Sequence, residues 1–201
     1  MAFSPFVVVP AWAIAQPNIL IAIANSGPVT YEWAMNFAEI WARRPPGTMR
    51  FRLPPYVIDQ ARERGAEEAL NSGFKWLFYL DDDVLPPVDV LARLVAHNKP
   101  IVSGYYARRH LPFYPLLLKK TQVSPIAFGL IDKYTAGDLV EVDACPAGCM
   151  LVATEVLRSI PKPWFYWTVD RAIDGVSEDY FFTNKAKMFG FKTYVDTGLK
   201  C

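Results

Sequence analysis

The sequence lacks a run of about 20 unbroken apolar residues, the length a helix needs to cross a bilayer. Its longest apolar stretch, Phe6 to Ala24, is interrupted by Pro10 and by Gln16-Pro17-Asn18. No basic region precedes that stretch and no convincing cleavage site follows, so no secretory leader is expected. Cysteine is scarce, with only Cys145, Cys149 and Cys201. An odd, low count excludes a disulfide scaffold and fits a reducing compartment, so the expected location is the cytoplasm. Histidine is scarcer, at His97 and His110. Both lie far from the cysteines, which leaves a structural zinc site short of a fourth ligand. An excess of either charge is missing too: 21 basic residues against 20 acidic give +1. That excludes a globally basic nucleic-acid binder and leaves a local patch open. Repeats and low-complexity tracts are absent.

What is present suits one folded domain spanning 1–201. The 201 residues are 52% hydrophobic and 20% charged, enough to bury a core. Aromatic residues reach 14%, with six Trp, more rings than packing alone requires. Asn18 to Ala24 reads as a buried strand, followed by an Asn25-Ser26-Gly27-Pro28 turn. Thr30 caps a helix whose apolar positions are Trp33, Phe37, Ile40 and Trp41. A second helix covers about Tyr56 to Ser72, with Ile58, Ala61, Gly65, Ala66 and Ala69 on one stripe. Phe74 to Leu80 is a continuous apolar run, the pattern of a central strand covered on both faces. Pro86-Pro87 opens a third helix with Val88, Leu91, Ala92 and Val95 inward, and Ile101-Val102-Ser103 is a short strand. This β-α-α-β-α-β order predicts a mostly parallel sheet flanked by helices.

The second half is less regular. Leu116 to Leu118, Pro125 to Ile131 and Leu139 to Val142 read as strands, with Thr135-Ala136-Gly137-Asp138 as a hairpin turn. Cys149 to Ala153 is a further strand. Thr154 caps a short helix, Trp164 to Trp167 opens a loop, and Ser177 caps a last helix with Phe182, Ala186 and Phe189 inward. Phe191 to Val195 closes the chain as a strand.

Three groups of residues carry chemistry. Asp81-Asp82-Asp83 directly follow the buried strand, where carboxylates repel one another and a divalent cation relieves the cost. In open α/β sheets this end of a strand is where ligands bind. Continued extension would put Asp81 and Asp83 on one face and Asp82 on the other. A solvated acidic turn is the plain alternative. Glu178-Asp179 fall in the first turn of the last helix, either as ordinary N-terminal acids or as a fixed carboxylate that accepts a substrate proton. Tyr105, Tyr106, Arg108, Arg109, His110, Trp164, Tyr166 and Trp167 supply flat rings and cations suited to sugars and phosphates, or simply loop packing. Arg62 stands on the packing stripe of the second helix, either paired with a core carboxylate or aimed at an anionic ligand.

In order along the chain, Ile19 to Ala24, Ala61-Arg62, Phe78 to Pro87 around Asp81-Asp82-Asp83, Gly148 to Leu151 with Pro163-Trp164-Phe165, and Ser177 to Phe182 with Tyr194 to Thr197 resemble the GT-A-fold glycosyltransferases. The likeness is greatest to the small family-2-like enzymes with a DxD motif, and it runs from about Ile19 to Cys201. It implies a single Rossmann-like GT-A domain, with a nucleotide-binding half over about 19–103 and an acceptor-binding half over about 104–201. It further implies transfer of a sugar, of hexosyl type, from a UDP- or GDP-sugar to an acceptor hydroxyl, with Mn²⁺ or Mg²⁺ as cofactor and inversion by direct displacement. In that scheme Asp83 ligates the metal, and Asp81 lies near the ribose or shares the metal through water. Arg62 meets the nucleotide end of the donor, and Ala24, Asn25 and Asp82 belong to the donor site. Asp179 is the general base with Glu178 beside it. Gly148, Trp164 and Arg108 serve the acceptor. The family's His shortly after the final strand has no counterpart in His97 or His110. A degenerate, non-catalytic glycan- or nucleotide-binding module is the competing reading. A sugar-phosphate nucleotidyltransferase fits less well, because Asn25 to Pro28 has no basic residue.

Overall fold

A computed structural model describes residues 18–25, 27–107, 111–121, 128–168 and 176–201. Arg108, Arg109, His110, Ser26 and the first part of the Pro125–Ile131 segment lie outside these residues. The chain is a single α/β domain. Its strands are β1 (Ile19–Ala24), β2 (Met49–Arg52), β3 (Trp76–Asp81), β4 (Ile101–Tyr105), β5 (Leu118–Lys120), β6 (Phe128–Leu130), β7 (Leu139–Val142), β8 (Cys149–Ala153) and β9 (Thr193–Lys200). Its helices are α1 (Tyr31–Ala42), α2 (Ile58–Asn71), α3 (Val90–Ala96), α4 (Thr154–Ser159) and α5 (Glu178–Met188).

The central sheet has the order β2-β1-β3-β8-β4-β9-β7, and β5 and β6 form a separate two-stranded ribbon. The pairs β1–β2, β1–β3 and β4–β9 are parallel. The pairs β3–β8, β4–β8 and β7–β9 are antiparallel. The sheet is therefore mixed, and the expected mostly parallel sheet is corrected. Alternation of strands and helices fixes direction only through β4; β8 and β7, from the irregular half, run back between and beside those strands. Residues of both halves share one sheet, because β8 lies between β3 and β4.

Alternation along β1 and β3 divides the core. Ile19, Ile21, Trp76, Phe78 and Leu80 pack with Trp33 and Ile40 of α1 and with Val90, Leu91 and Leu94 of α3. Leu20, Ala22, Leu77 and Tyr79 pack with Ala61, Ala66 and Ala69 of α2 and with Phe165 and Phe182. Gly65 allows α2 to lie close to the sheet, since a Cβ there would meet Leu53 at 2.9 Å and Tyr79 at 3.2 Å. Thr30 caps α1 by accepting the Trp33 N–H at 3.1 Å.

Several local expectations differ. The edge strand β2 is additional; its Met-Arg-Phe-Arg sequence is too polar and short to read as a strand, and the parallel pairing to β1 makes it one. Leu91 packs inward as expected and Val95 is partly buried against the core, but Val90 and Leu94 join them in place of Val88 and Ala92, because the helix begins three residues after Pro87. Thr154 is the first residue of α4, and its hydroxyl donates to the Phe74 carbonyl at 2.7 Å instead of capping. Thr135 to Asp138 does form a turn, but it joins no hairpin, since β6 pairs with β5 and β7 with β9. Phe189 is exposed at the end of α5, where the helix has already left the core.

Candidate active site

Parallel pairing of β1 and β3 sets Ala24 opposite Asp81, so both strand ends reach the same edge of the sheet. The chain does not stay extended there. Val84 N–H donates to the Asp81 carbonyl at 3.3 Å, and Asp82 and Asp83 form a turn. The Asp82 N–H donates to the Ala24 carbonyl at 3.1 Å. Asn25 Nδ2 donates to Asp82 Oδ2 at 3.0 Å and to the Gly27 carbonyl at 2.7 Å. Trp33 Nε1 donates to the Asp81 carbonyl at 3.0 Å and anchors the strand end to α1. The turn places all three aspartates on one cavity of about 360 Å³, with Ala24, Asn25, Ala61 and the Leu53-Pro54-Pro55-Tyr56 segment as its other walls. Pro54, Pro55 and Tyr56 are cavity residues that no residue type marks in the sequence. The Pro-Pro pair just before a helix was their only signal, and it gained meaning only once β2 delivered it to this edge.

Arg62 ties the acidic turn to the last helix. Nη2 donates to Asp81 Oδ1 at 3.2 Å and Oδ2 at 3.1 Å, and Nε donates to Glu178 Oε1 at 3.0 Å. Arg62 and Glu178 are buried. The Tyr79 hydroxyl donates to the Arg62 carbonyl at 2.7 Å and fixes the helix at this position. Burial alone would pull the guanidinium pKa down. Asp81, then Glu178 and Asp179, more than reverse that pull and hold Arg62 charged. Both orientations considered for Arg62 meet here: the residue is paired with buried carboxylates, and one of those carboxylates lines the cavity. Its Nη1 has no hydrogen-bond partner among the described residues, nor does the Tyr106 hydroxyl.

Asp179 follows Glu178 in the first turn of α5. Burial, then the Glu178 charge, pushes its carboxyl up to about 6, against the opposing effects of the Ser177 hydroxyl, Arg62 and the Tyr180 N–H. The Ser177 hydroxyl donates to Asp179 Oδ1, which also accepts the Tyr180 N–H at 2.8 Å. An oriented carboxylate with a pKa near 6 is ionised at neutral pH and is basic enough to take a proton.

Gly148 belongs to this assembly. Its carbonyl accepts the Asp81 N–H at 2.9 Å, and a Cβ on it would lie 2.6 Å from Asp81 Oδ2 and 2.9 Å from the Tyr106 hydroxyl. Gly148→Ala is therefore expected to displace the Asp81 carboxylate from Arg62 and to destabilise the fold by about 1–3 kcal/mol. Thermal unfolding of the variant measures this, and an unchanged midpoint would contradict the close approach.

Trp164 is corrected. It is buried, and its indole Nε1 donates to the Leu157 carbonyl at 2.9 Å and the Ile160 carbonyl at 3.1 Å. A ring held in the core under α4 does not face an acceptor. Arg108, the other expected acceptor contact, lies outside the described residues. Tyr166 and Trp167 remain exposed, and Trp167 is tied to the first turn of α2 through its N–H and Asp59 Oδ2 at 3.4 Å.

The donor chemistry available for a cation is limited. Both Asp81 oxygens face Arg62, while Asp83 is exposed on the cavity wall. Among the described residues, no three His, Cys, Asp or Glu side chains converge as a metal cage. His97 is engaged elsewhere, with Nε2 at 2.9 Å from Asp196 Oδ2. A cation held here would take most of its ligands from phosphate oxygens and water, as Mg²⁺ does when it uses one or two carboxylates with substrate phosphates.

No protein-family model matches the chain, and no curated protein matches it. A solved structure does, the crystal structure of A197 from STIV, with a TM-score of 0.63 over 90% of this chain and 83% of that one. The two share a fold. At 22% identity the likeness extends no further than architecture.

Proposed function

We propose that the protein is a metal-dependent glycosyltransferase on a GT-A-like fold, moving a sugar from a UDP- or GDP-sugar to an acceptor hydroxyl. The observation that carries this reading is the Asp81–Arg62–Glu178 bridge. It joins a three-aspartate cavity at a strand end to a helix whose next residue, Asp179, is a carboxylate poised near pH 6. Asp81, Glu178 and Asp179 act together on the buried Arg62, while Asp82 and Asp83 line the cavity beside Asp81, and a bound divalent ion would offset the negative charge there.

In this account the nucleoside of the donor lies in the cavity between Ala24-Asn25 and Pro54-Pro55-Tyr56. Asp83 would hold the cation, with Asp81 near it but shared with Arg62. When bound, the cation neutralises charge on the leaving diphosphate. Asp179 accepts the proton of the acceptor hydroxyl. The acceptor oxygen then bonds to the anomeric carbon as that carbon's bond to the diphosphate oxygen breaks, which releases the nucleoside diphosphate and inverts the centre. Glu178 fixes Arg62, and Ser177 fixes the Asp179 carboxylate.

Isothermal titration of UDP- and GDP-hexoses, each with Mn²⁺ and with EDTA, tests the reading. One nucleotide is expected to bind only with Mn²⁺, and Asp83→Ala is expected to weaken it by at least about tenfold, the loss of one charge-assisted contact. Mn²⁺ alone is expected to bind weakly, because Asp83 cannot complete a site by itself. Equal affinity in the variant would remove the metal role, and no nucleotide binding would favour the non-catalytic module.

A further inference from the structure

We propose that the groove between β2 and α1 is a second ligand site, which takes a phosphate carried on a ring, as in a sugar phosphate or a nucleotide. The groove is lined by Ile23, Val29, Trp33, Phe37, Arg50 and Arg52. Its volume is about 640 Å³, within the range of small-molecule sites. Asn25 stands in its wall and in the wall of the acidic cavity, so the two are neighbours.

The register of β2 on β1 makes this groove. Arg50 pairs with Ile21 and Arg52 with Ile23, so both arginines share the sheet face against which α1 packs. Two residues apart on a strand, their Cα atoms stand roughly 7 Å from each other. That spacing lets two guanidinium groups converge on one anion.

Their charge has no protein counterpart. Among the described residues, Arg43, Arg62, Arg64 and Arg93 each meet a carboxylate, and no such pair is formed by Arg50 or Arg52. Arg52 Nη2 donates to the neutral Asn25 Oδ1 at 3.2 Å. The Arg50 guanidinium lies 5.5 Å from the centre of the Trp41 ring, and that of Arg44 lies 4.0 Å from the same ring. Charges on an edge strand commonly guard its rim, but these two line a concavity together with Val29 and Phe37. One guanidinium fork saturates a carboxylate, whereas a phosphate offers three oxygens and can serve two. The apolar wall adds a surface for the ring that bears it. Beyond Asn25, the three aspartates repel the same ligand unless a cation is bound, so the two sites differ in their metal requirement.

Isothermal titration of the full chain in EDTA tests this, with glucose 1-phosphate, uridine 5′-monophosphate and uncharged glucose as probes. One or both ring phosphates are expected to bind, the tighter identifying the source, and glucose is not. The double variant Arg50→Gln, Arg52→Gln should lose about tenfold or more in affinity, from the loss of charge-assisted contacts. Arg50→Gln alone, which leaves the Arg52–Asn25 contact in place, should lose part of that. The control Arg158→Gln, in the wall of a different groove, should bind like wild type. Circular dichroism establishes that each variant is folded. No binding of either ring phosphate in EDTA, wild-type affinity in the double variant, or an equal loss in Arg158→Gln would overturn the proposal. Loss of Mn²⁺-dependent nucleotide-sugar binding in the double variant would overturn it too, because the groove would then belong to the donor site. If binding in EDTA fails while Mn²⁺-dependent binding persists, the transfer reading stands and only the second site falls. The converse result leaves the second site standing and removes the transfer reading.

Discussion

Asp179→Asn is expected to lower turnover by about 10²–10⁴-fold, the usual contribution of a general base, while leaving donor affinity unchanged. The residue accepts a proton in this account and touches no part of the nucleotide. Wild-type turnover should therefore rise with pH through about 6, where the Asp179 carboxyl ionises, and level off above it. The same substitution has a second consequence with a definite sign. The folded-state pKa of Asp179 lies above its ordinary value of 3.8. The stability this contributes is fully present below the unfolded value and is lost as pH rises through about 6. Asparagine carries no charge at any pH, so the variant is expected to be more stable than wild type at pH about 7.5, by roughly 2–6 °C in melting midpoint. That advantage should disappear near pH 4. A less stable variant at neutral pH would show that the carboxylate is not held against a burial penalty.

Arg62→Met is expected to cost about 3–5 kcal/mol, because it leaves Glu178 buried and Asp81 partly buried without their shared cation. Chemical denaturation measures it. Glu178→Gln in the Arg62→Met background should recover part of the loss, since the two residues are in contact and their effects are not additive. A destabilisation no larger than a surface substitution would contradict the bridge. Arg62→Lys separates packing from positioning. It keeps one charge but cannot serve both carboxylates with the same planar geometry. With Arg62 lowering the Asp179 pKa in the wild type, its removal should also move the acid limb of any residual activity to higher pH.

The parts of this architecture that were legible in the sequence are those where local pattern and burial agree. The apolar runs of β1 and β3 and the cap at Thr30 belong here, as does the small-residue stripe of α2. Asp81-Asp82-Asp83 and Glu178-Asp179 stood out because carboxylates at a strand end and a helix start are chemically conspicuous. Direction of pairing was not legible, since alternation is the same in parallel and antiparallel strands, and β8 inserted itself antiparallel between β3 and β4. The strand β2 escaped notice because two of its four residues are arginines; it is made by its partner. Residue type alone points Trp164 to a binding surface, yet a tryptophan whose N–H finds two carbonyls is satisfied in the interior. The joining of Arg62 to Asp81 and Glu178 spans 19 and 116 residues and only the fold reveals it.

The central claim is sugar transfer with release of a nucleoside diphosphate. Its most direct test is mass-spectrometric analysis of the protein incubated at neutral pH with Mn²⁺ and the UDP- or GDP-hexose it binds, with water as acceptor. The account predicts nucleoside diphosphate and transferred or free sugar in equal amounts from wild type, and little of either from Asp179→Asn despite intact binding. Sugar phosphate with nucleoside monophosphate, or equal product from the variant, would contradict it.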